Sequence, residues 1–480
     1  MNIIFFSKRV KVYSRTFLLR TAMLMLPGLV FTISIDGQVL IALTSKGGAN
    51  NAGAVIEYNA GTNTLIKKAD FTSGNTGTGD QPHSSFIQAS DGDLYAVTFT
   101  GNTSFGGGVV KYNVASATLT NTAGFTFATG YNPTGAFIQG QNAKLYALMA
   151  NGGINYGTVL EYDIVTNALT GKVNFTAGTS GTGIAPSGSF VITSNGKLYG
   201  MSRFGGLNNL GTIVEYDPTT NTLTKKADFD NTSGGLPRGS FAQASNGKLY
   251  AMTSSGGNNN VGTVIEYDIA TNTLTKKVDF TTGLAGTGYS PTGSFLLASD
   301  GKLYAMTGSG GASGSGTVVE YVPGTTAIVK KADFVSGISG TGVNPHGSFM
   351  QASNGRLYGM TNSGGTYGYG TVVEYDIQTA TLIKKVDFDG INGANPLYGE
   401  FIEVSNTWTG AVSSNWNTSG NWSYNAVPSA TDVAVIASGT PNAPDLSNTN
   451  YTIGNFVQHA GQTLSLGSGN LTVTGAFTNN

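Results

Sequence analysis

Short runs that mix apolar with polar residues, broken by Gly, Asn, Asp and Thr, recur along most of this chain. One set reads "GSFAQAS" at Gly239–Ser245, "KLYAMTS" at Lys248–Ser254, "GTVIEYD" at Gly262–Asp268 and "LTKKVDF" at Leu274–Phe280. β-branched and aromatic residues dominate these runs, which predicts strands, here named a, b, c and d in chain order. The Leu-Tyr pair of run b returns at Leu94-Tyr95, Leu145-Tyr146, Leu198-Tyr199, Leu249-Tyr250, Leu303-Tyr304 and Leu357-Tyr358, at spacings of 51 to 54 residues. A weaker copy, Leu40-Ile41, comes first.

Between a and b the chain writes "SNG", an Asn-Gly pair suited to a two-residue hairpin with positive φ at both central positions. Between c and d, "YDPTTNT" at Tyr216–Thr222 supplies Asp, Pro and Asn where a tight turn uses them. Each unit is therefore expected to be a four-stranded antiparallel meander. So small a sheet cannot cover both its faces, and neighbouring units must stack, as the blades of a β-propeller do.

Runs b, c and d each occur seven times, and run a occurs seven times, with Phe86, Phe137, Phe190, Phe241, Phe295, Phe349 and Phe401. The first unit opens at run b, from Val39, whereas the last run a, "GEFIEVS" at Gly399–Ser405, has no b, c or d after it. The orphan at one end is what the other end lacks. The expected fold class is all-β: a seven-bladed β-propeller over 38–405, closed by the strand of Phe401 pairing with Val39–Ser45. Such closure hides the sheet edges that an open array would expose.

The pattern "NGKLYxMTSxGG…GTVxEYDPxTNTLTKK", with a double Gly after the second strand and Tyr-Asp before a turn, resembles the kelch-type propeller repeat. More closely it resembles the tandem repeat called GloVer in bacterial secreted proteins. The resemblance covers residues 39–405 and implies the propeller fold. It implies little about activity, because propellers host many functions.

The column Leu43, Val97, Leu148, Met201, Met252, Met306, Met360 is apolar throughout and reads as packing between blades, as do the Tyr and Phe columns. Run c carries Glu57, Glu161, Glu215, Glu266, Glu320 and Glu374, and run d carries lysine pairs such as Lys67-Lys68 and Lys276-Lys277. In the second unit Lys111 replaces the Glu, and run d has lost both lysines. Charges that change together are expected to be cross-strand pairs on the outer hairpin, not a ring of cationic binding sites.

Composition narrows the function. With 11% charged residues and a net charge of -1, there is no basic surplus to neutralise phosphates, and nucleic acid is not an expected partner. The absence of Cys excludes disulfides, thiolate zinc sites and the Cys–Tyr crosslink of a kelch-type copper radical oxidase. With only His83, His346 and His459 available, no metal site or cofactor is expected. A sialidase-like propeller needs several converging arginines. Beyond the N-terminal segment only Arg203, Arg238 and Arg356 occur, the last in an a–b turn.

Lys8, Arg9, Lys11, Arg15 and Arg20 precede the apolar run "TAMLMLPGLVFTISI". That run contains Pro27 and is short for a membrane span of ~20 residues. A cleaved export signal is expected over 1–37, cut near Gly37–Gln38, with a buried strand or a membrane anchor as the plain alternatives. The mature chain would then lack a transmembrane segment and lie outside the cell or on its surface. From 406 to 480 the period stops and all three Trp appear, in "WTGAVSSNWNTSGNWSYNAVPSATDVAVI". This stretch is expected to be a small β-rich module, sandwich or solenoid-like, and its opening resembles a module of large secreted surface proteins of bacteria. The Trp cluster is either a carbohydrate site or the module's core. The ending in mid-pattern, "VTGAFTNN", is expected of a truncated surface protein.

Strand direction puts the b–c and d–a loops on one face and the a–b and c–d turns on the other. The turns are near-identical from unit to unit, whereas the loops vary: "GGINYGT", "GGLNNLGT", "GTGYSPTGS", "SGGLPRGS". Variable loops on a rigid scaffold are where recognition usually lives. The candidate ligand-binding residues are Tyr156, Arg203, Arg238, Tyr289, His346 and Tyr367, with stacking on a sugar or peptide as the main contact. Loops without any ligand are the plain alternative. The expected function is an exported, non-catalytic scaffold or binding module for a glycan or a surface protein. The competing class is a polysaccharide-acting enzyme, a lyase or glycosidase, with its site in the axial funnel. It needs two carboxylates, or His with a carboxylate, converging on the axis, whereas most carboxylates belong to the "EYD" and "KKxDF" columns of the outer strands.

Overall fold

The computed structural model describes residues 39–479 except 75, 102–105, 405, 423–426, 429–432, 437–439, 448, 459–461, 475 and 476. The export signal expected over 1–37 and His459 lie outside the described residues. Among the described residues no helix is long and apolar enough to cross a membrane.

Val39–Glu403 form one compact unit of seven antiparallel blades. Blade I joins Val39–Thr44, Ala54–Asn59 and Thr64–Asp70 to Ile402–Glu403 from the other end of the unit. Blades II to VII each begin with their own strand a: Ile87–Gln88, Ile138–Gln139, Ile184–Ile192, Ala242–Gln243, Leu296–Leu297 and Met350–Gln351. The seam is antiparallel, with Leu40 opposite Glu403 and Ile41 opposite Ile402, so the ring closes as the repeat count requires.

Burial follows the strand order. Strand b of blade V, Leu249–Ser255, is buried along most of its length, whereas its strand d, Thr273–Asp279, alternates between exposed and half-buried. Aromatic rings fill the wedges between blades: Tyr146 of blade III lies 5.8 Å from Tyr216 of blade IV, and Tyr250 of blade V lies 5.7 Å from Tyr321 of blade VI. Their large apolar faces bury most where two sheets meet.

The a–b turn differs from the expected hairpin. In blade V only Gly247 takes positive φ, at 78°; its N–H donates to the Ala244 carbonyl at 2.9 Å, and the Ala244 N–H donates to Lys248 at 3.0 Å. This is the three-residue loop with Gly in the left-handed position and a bulge. Asn246 acts through its side chain instead, accepting the Lys248 N–H and donating to the Tyr250 hydroxyl.

The charge columns also pair more closely within the blade than expected. Lys277 reaches Glu266 at 3.6 Å, but nearer partners come from the b side: Lys248 at 2.9 Å and the Tyr250 hydroxyl at 2.5 Å. Blade II inverts the pair, with Lys111 bonded to Asp93 at 2.7 Å and the Tyr95 hydroxyl turned to Asp91 at 2.8 Å. The first lysine of each pair holds the aspartate three residues on, as Lys276 holds Asp279 at 3.1 Å. Asp279 in turn accepts the Asn258 N–H of the b–c loop, so the motif ties the outer strand to the variable face.

In the second unit, Val404–Asn480, strands Asn406–Trp408, Val433–Ile436, Asn455–Gln458 and Phe477–Asn479 stack in parallel. Parallel stacking of successive rungs is a solenoid, not a sandwich. Trp408, Trp416 and Trp422 are 0%, 0% and 2% exposed, so their rings form this unit's core and offer no face to a sugar.

Candidate functional site

Strand a is the innermost strand of each blade, and side chains on a strand alternate between its two faces. Counting from the Phe of each copy, three layers face the axis and enclose a cavity of about 720 Å³. The mouth layer, three residues before the Phe, is His83, Thr134, Ser187, Arg238, Thr292, His346 and Tyr398, of which all but His83 and Ser187 line the cavity. The middle layer, one before it, is Ser85, Ala136, Ser189, Ser240, Ser294, Ser348 and Glu400. The deepest, one after it, is wholly apolar: Ile87, Ile138, Val191, Ala242, Leu296, Met350 and Ile402. The mouth opens on the face of the variable loops, where d–a and b–c segments bridge each other, as at Asp80–Thr100 and Val343–Ser363.

Hydrogen bonds stitch the mouth together across blades. The Ser187 hydroxyl donates to the Arg238 carbonyl at 2.8 Å, and the Thr292 hydroxyl to the His346 carbonyl at 3.0 Å while lying 3.1 Å from His346 Nδ1. Tyr398 stands between two histidines, its ring edge-on to His83 at 5.8 Å and to His346 at 6.0 Å. Burial lowers His83 to about 4, and it lowers His346 too, with help from the nearby Arg238 charge. Burial thus favours the neutral form of both imidazoles. His83 Nε2, Thr134 Oγ1 and Arg203 Nε are buried without a hydrogen-bond partner. Such orphaned polar atoms are uncommon in folded proteins, and here three gather around one opening.

The middle layer is a belt of hydroxyls. Backbone N–H groups of Ala136, Ser189, Ser240 and Ser294 donate to the serine Oγ of the next blade at 2.7–2.9 Å, and the Glu400 N–H donates to Ser85 Oγ at 2.9 Å. Each hydroxyl still has its own proton to give. Glu400 is the one ionisable group of the belt. Its carboxyl is half-buried on the cavity wall, accepts no hydrogen bond from the described residues, and is pushed by desolvation up to about 7. Glu403 is a different case: at the far end of the cavity, it accepts the Ser353 N–H at 2.8 Å and hydroxyl at 2.6 Å. Two carboxylates therefore line the cavity, while most belong to the outer-strand columns as expected.

Of the six candidate residues, Arg238 and His346 line the cavity, and Arg203 stands close enough to Arg238 to feel its charge. The three tyrosines do not join them. Tyr156 packs against the core between blades III and IV. Tyr289 is bridged to Ser309 and half-buried, and Tyr367 is 59% exposed on a b–c loop outside the cavity lining. Glu400 was missed, although one column of the repeat would have exposed it: the residue before the Phe is Ser or Ala six times and Glu once.

No curated protein matches the chain. Among solved structures, a Bacteroides uniformis protein provisionally named a 6-phosphogluconolactonase gives a TM-score of 0.51 at 16% identity, covering 76% of this chain and 100% of its own. A Lactobacillus plantarum protein gives 0.50 at 15% identity, over 76% and 100%. TolB from Acinetobacter baumannii gives 0.40 at 11%, over 76% and 67%. At such identities the likeness is one of fold alone. The Gloeobacter/Verrucomicrobia repeat matches residues 30–244 and 228–424, which together span all seven blades, and the chain therefore belongs to that repeat family.

Proposed function

We propose that this propeller is an exported, non-catalytic binding module that receives a glycan or surface-protein ligand at the mouth of its axial cavity. The observation that carries the reading is the mouth layer. Seven structurally equivalent positions hold two His, two Thr, one Ser, one Arg and one Tyr, whereas the opposite face repeats the same turns. Asymmetric recognition needs asymmetric chemistry on a rigid frame, and this layer supplies it. The basic, apolar start of the chain supports export.

Glycan and surface-protein arrays probed with the full chain test this. Binding should be lost in Arg238→Gln and Tyr398→Ala and kept in Ser245→Arg, which alters an a–b turn on the opposite face. The reverse pattern would put the site elsewhere.

One observation favours the enzymatic alternative. A carboxyl with a pKa near neutrality, as Glu400 has, is suited to general acid–base work on a polysaccharide. Against it, no second ionisable group among the described residues hydrogen-bonds to Glu400. Turnover of an acidic or neutral polysaccharide that disappears in Glu400→Gln would replace the non-catalytic reading.

A further inference from the structure

Almost every cation of the described residues has a carboxylate partner within ion-pair distance. Sixteen lysines and Arg356 do; Lys46, Arg203 and Arg238 do not. Lys46 is exposed and well hydrated. Arg203 and Arg238 are not: both are half-buried, on neighbouring blades; Arg238 lines the opening, and Arg203 stands close enough to feel its charge. Arg203 is held below its ordinary value first by burial and then by the Arg238 charge, and no carboxylate counters either effect. Its Nε is one of the buried orphans. Two like charges held together, partly desolvated and without a counter-ion, are unfavourable in the free protein, and an arriving anion would relieve that cost.

What lies below the arginines limits the anion's shape. The hydroxyl belt offers donors from Ser189, Ser240 and Ser294, whose Oγ atoms already accept a backbone N–H and whose protons remain to be given. Tyr398 adds an aromatic ring at the same rim. The cavity, about 720 Å³, exceeds what a bare small anion fills. An arginine fork for an acid, hydroxyl donors for hydroxyls and a ring for a pyranose face together describe one ligand class.

We infer that the mouth binds an anionic sugar, a monosaccharide or chain end bearing a carboxylate or phosphate, with Arg203 and Arg238 holding the acid group and the serine belt the hydroxyls. This rests on the binding reading above and narrows it to one chemistry. A folded carboxylic peptide side chain would meet the arginines but leave the belt unused, so an acidic peptide is the disfavoured occupant.

Calorimetric titration of the full chain with glucuronic acid, glucose 6-phosphate, glucose, inorganic phosphate and a hexaglutamate peptide tests it. The sugar acid or the sugar phosphate should bind at least roughly tenfold more tightly than glucose, inorganic phosphate and the peptide, and the stronger of the two identifies the acid group. Arg203→Gln and Arg238→Gln should each weaken that binding about tenfold or more. Should either unfold the chain, Arg203→Lys and Arg238→Lys keep the charge, lose the fork and should weaken binding with the fold intact. Equal affinity for glucose overturns the inference while leaving the binding reading in place. Tighter binding of the peptide, equal binding of inorganic phosphate, or no binding of either anionic sugar at millimolar concentration overturns it too. Array hits lost in Ser245→Arg but kept in Arg238→Gln would instead move the site off the mouth and sink the reading on which this inference rests.

Discussion

Leu40 sits directly opposite Glu403 across an antiparallel pair, although the two residues stand at opposite ends of the ring in sequence. That pairing turns seven consecutive sheets into a closed structure, and it leaves blade I dependent on the last strand for its inner edge.

Removing residues 399–480 should therefore abolish cooperative unfolding, because blade I loses strand a and blade VII loses its neighbour. Removing only 407–480 should leave the propeller's melting transition nearly unchanged. Calorimetry of the two truncations decides the matter; identical behaviour would mean that the seam does not hold the ring.

Glu266 is the hub of a buried charged network, with Lys248, Tyr250 and Lys277 around it. Glu266→Lys should cost about 1–3 kcal/mol, since it takes away the acceptor of the Tyr250 hydroxyl proton and adds like charge. Adding Lys248→Asp, which copies the Lys111–Asp93 arrangement of blade II, should recover part of that loss, whereas Lys277→Glu should recover less. Urea denaturation of the single and double variants measures both.

The same network predicts acid sensitivity. Burial alone would raise Glu161, Glu215, Glu266 and Glu320, but bonds from the strand-b tyrosine and the a–b lysine outweigh it and hold all four below the ordinary value. A lowered folded pKa contributes stability above the unfolded value of about 4.5 that is lost as pH falls through the folded one. The melting temperature should drop as pH falls below about 4.5, and Glu266→Gln should flatten the drop.

Glu400 has the opposite sign. Its folded pKa of about 7 lies above the unfolded value, so its contribution is fully present below about pH 4.5 and is lost as pH rises to 7. Glu400→Gln should match the parent chain at about pH 4 and exceed it at pH 8 by on the order of 2 kcal/mol. An equal offset at both pH values would show that the carboxyl is hydrated in the cavity.

Gly257 has φ of 73°, and a Cβ there would stand 2.3 Å from Asp279 Oδ1, the atom that anchors the b–c loop. Gly257→Ala should cost about 1–2 kcal/mol from the left-handed backbone alone, and it should loosen that loop in hydrogen exchange. Asp279→Asn, which removes the charge but keeps the shape, should cost less.

Local rules made the ring legible before any coordinates. β-rich runs, turn residues at set offsets and a period of 51 to 54 residues specify the strands, and the orphan strand at Gly399–Ser405 specifies the closure. These properties are written within one repeat or by counting repeats, so a linear reading reaches them. The a–b turn is not fixed by sequence because Asn-Gly fits two turn geometries; in the one adopted, the Asn246 side chain reaches the Tyr250 hydroxyl. The site needed the tertiary structure for a different reason. Arg238, His346 and Tyr398 lie far apart in sequence and meet only because strand a of every blade points at a common axis, and Arg203 comes near them from the end of a strand b. Tyr156, Tyr289 and Tyr367 belong to loops on the same face, but the fold sends them to core, bridge and solvent. Loop membership follows from chain order; convergence on an axis follows from closing the ring, and only the folded sheets decide which side chains that closure brings together.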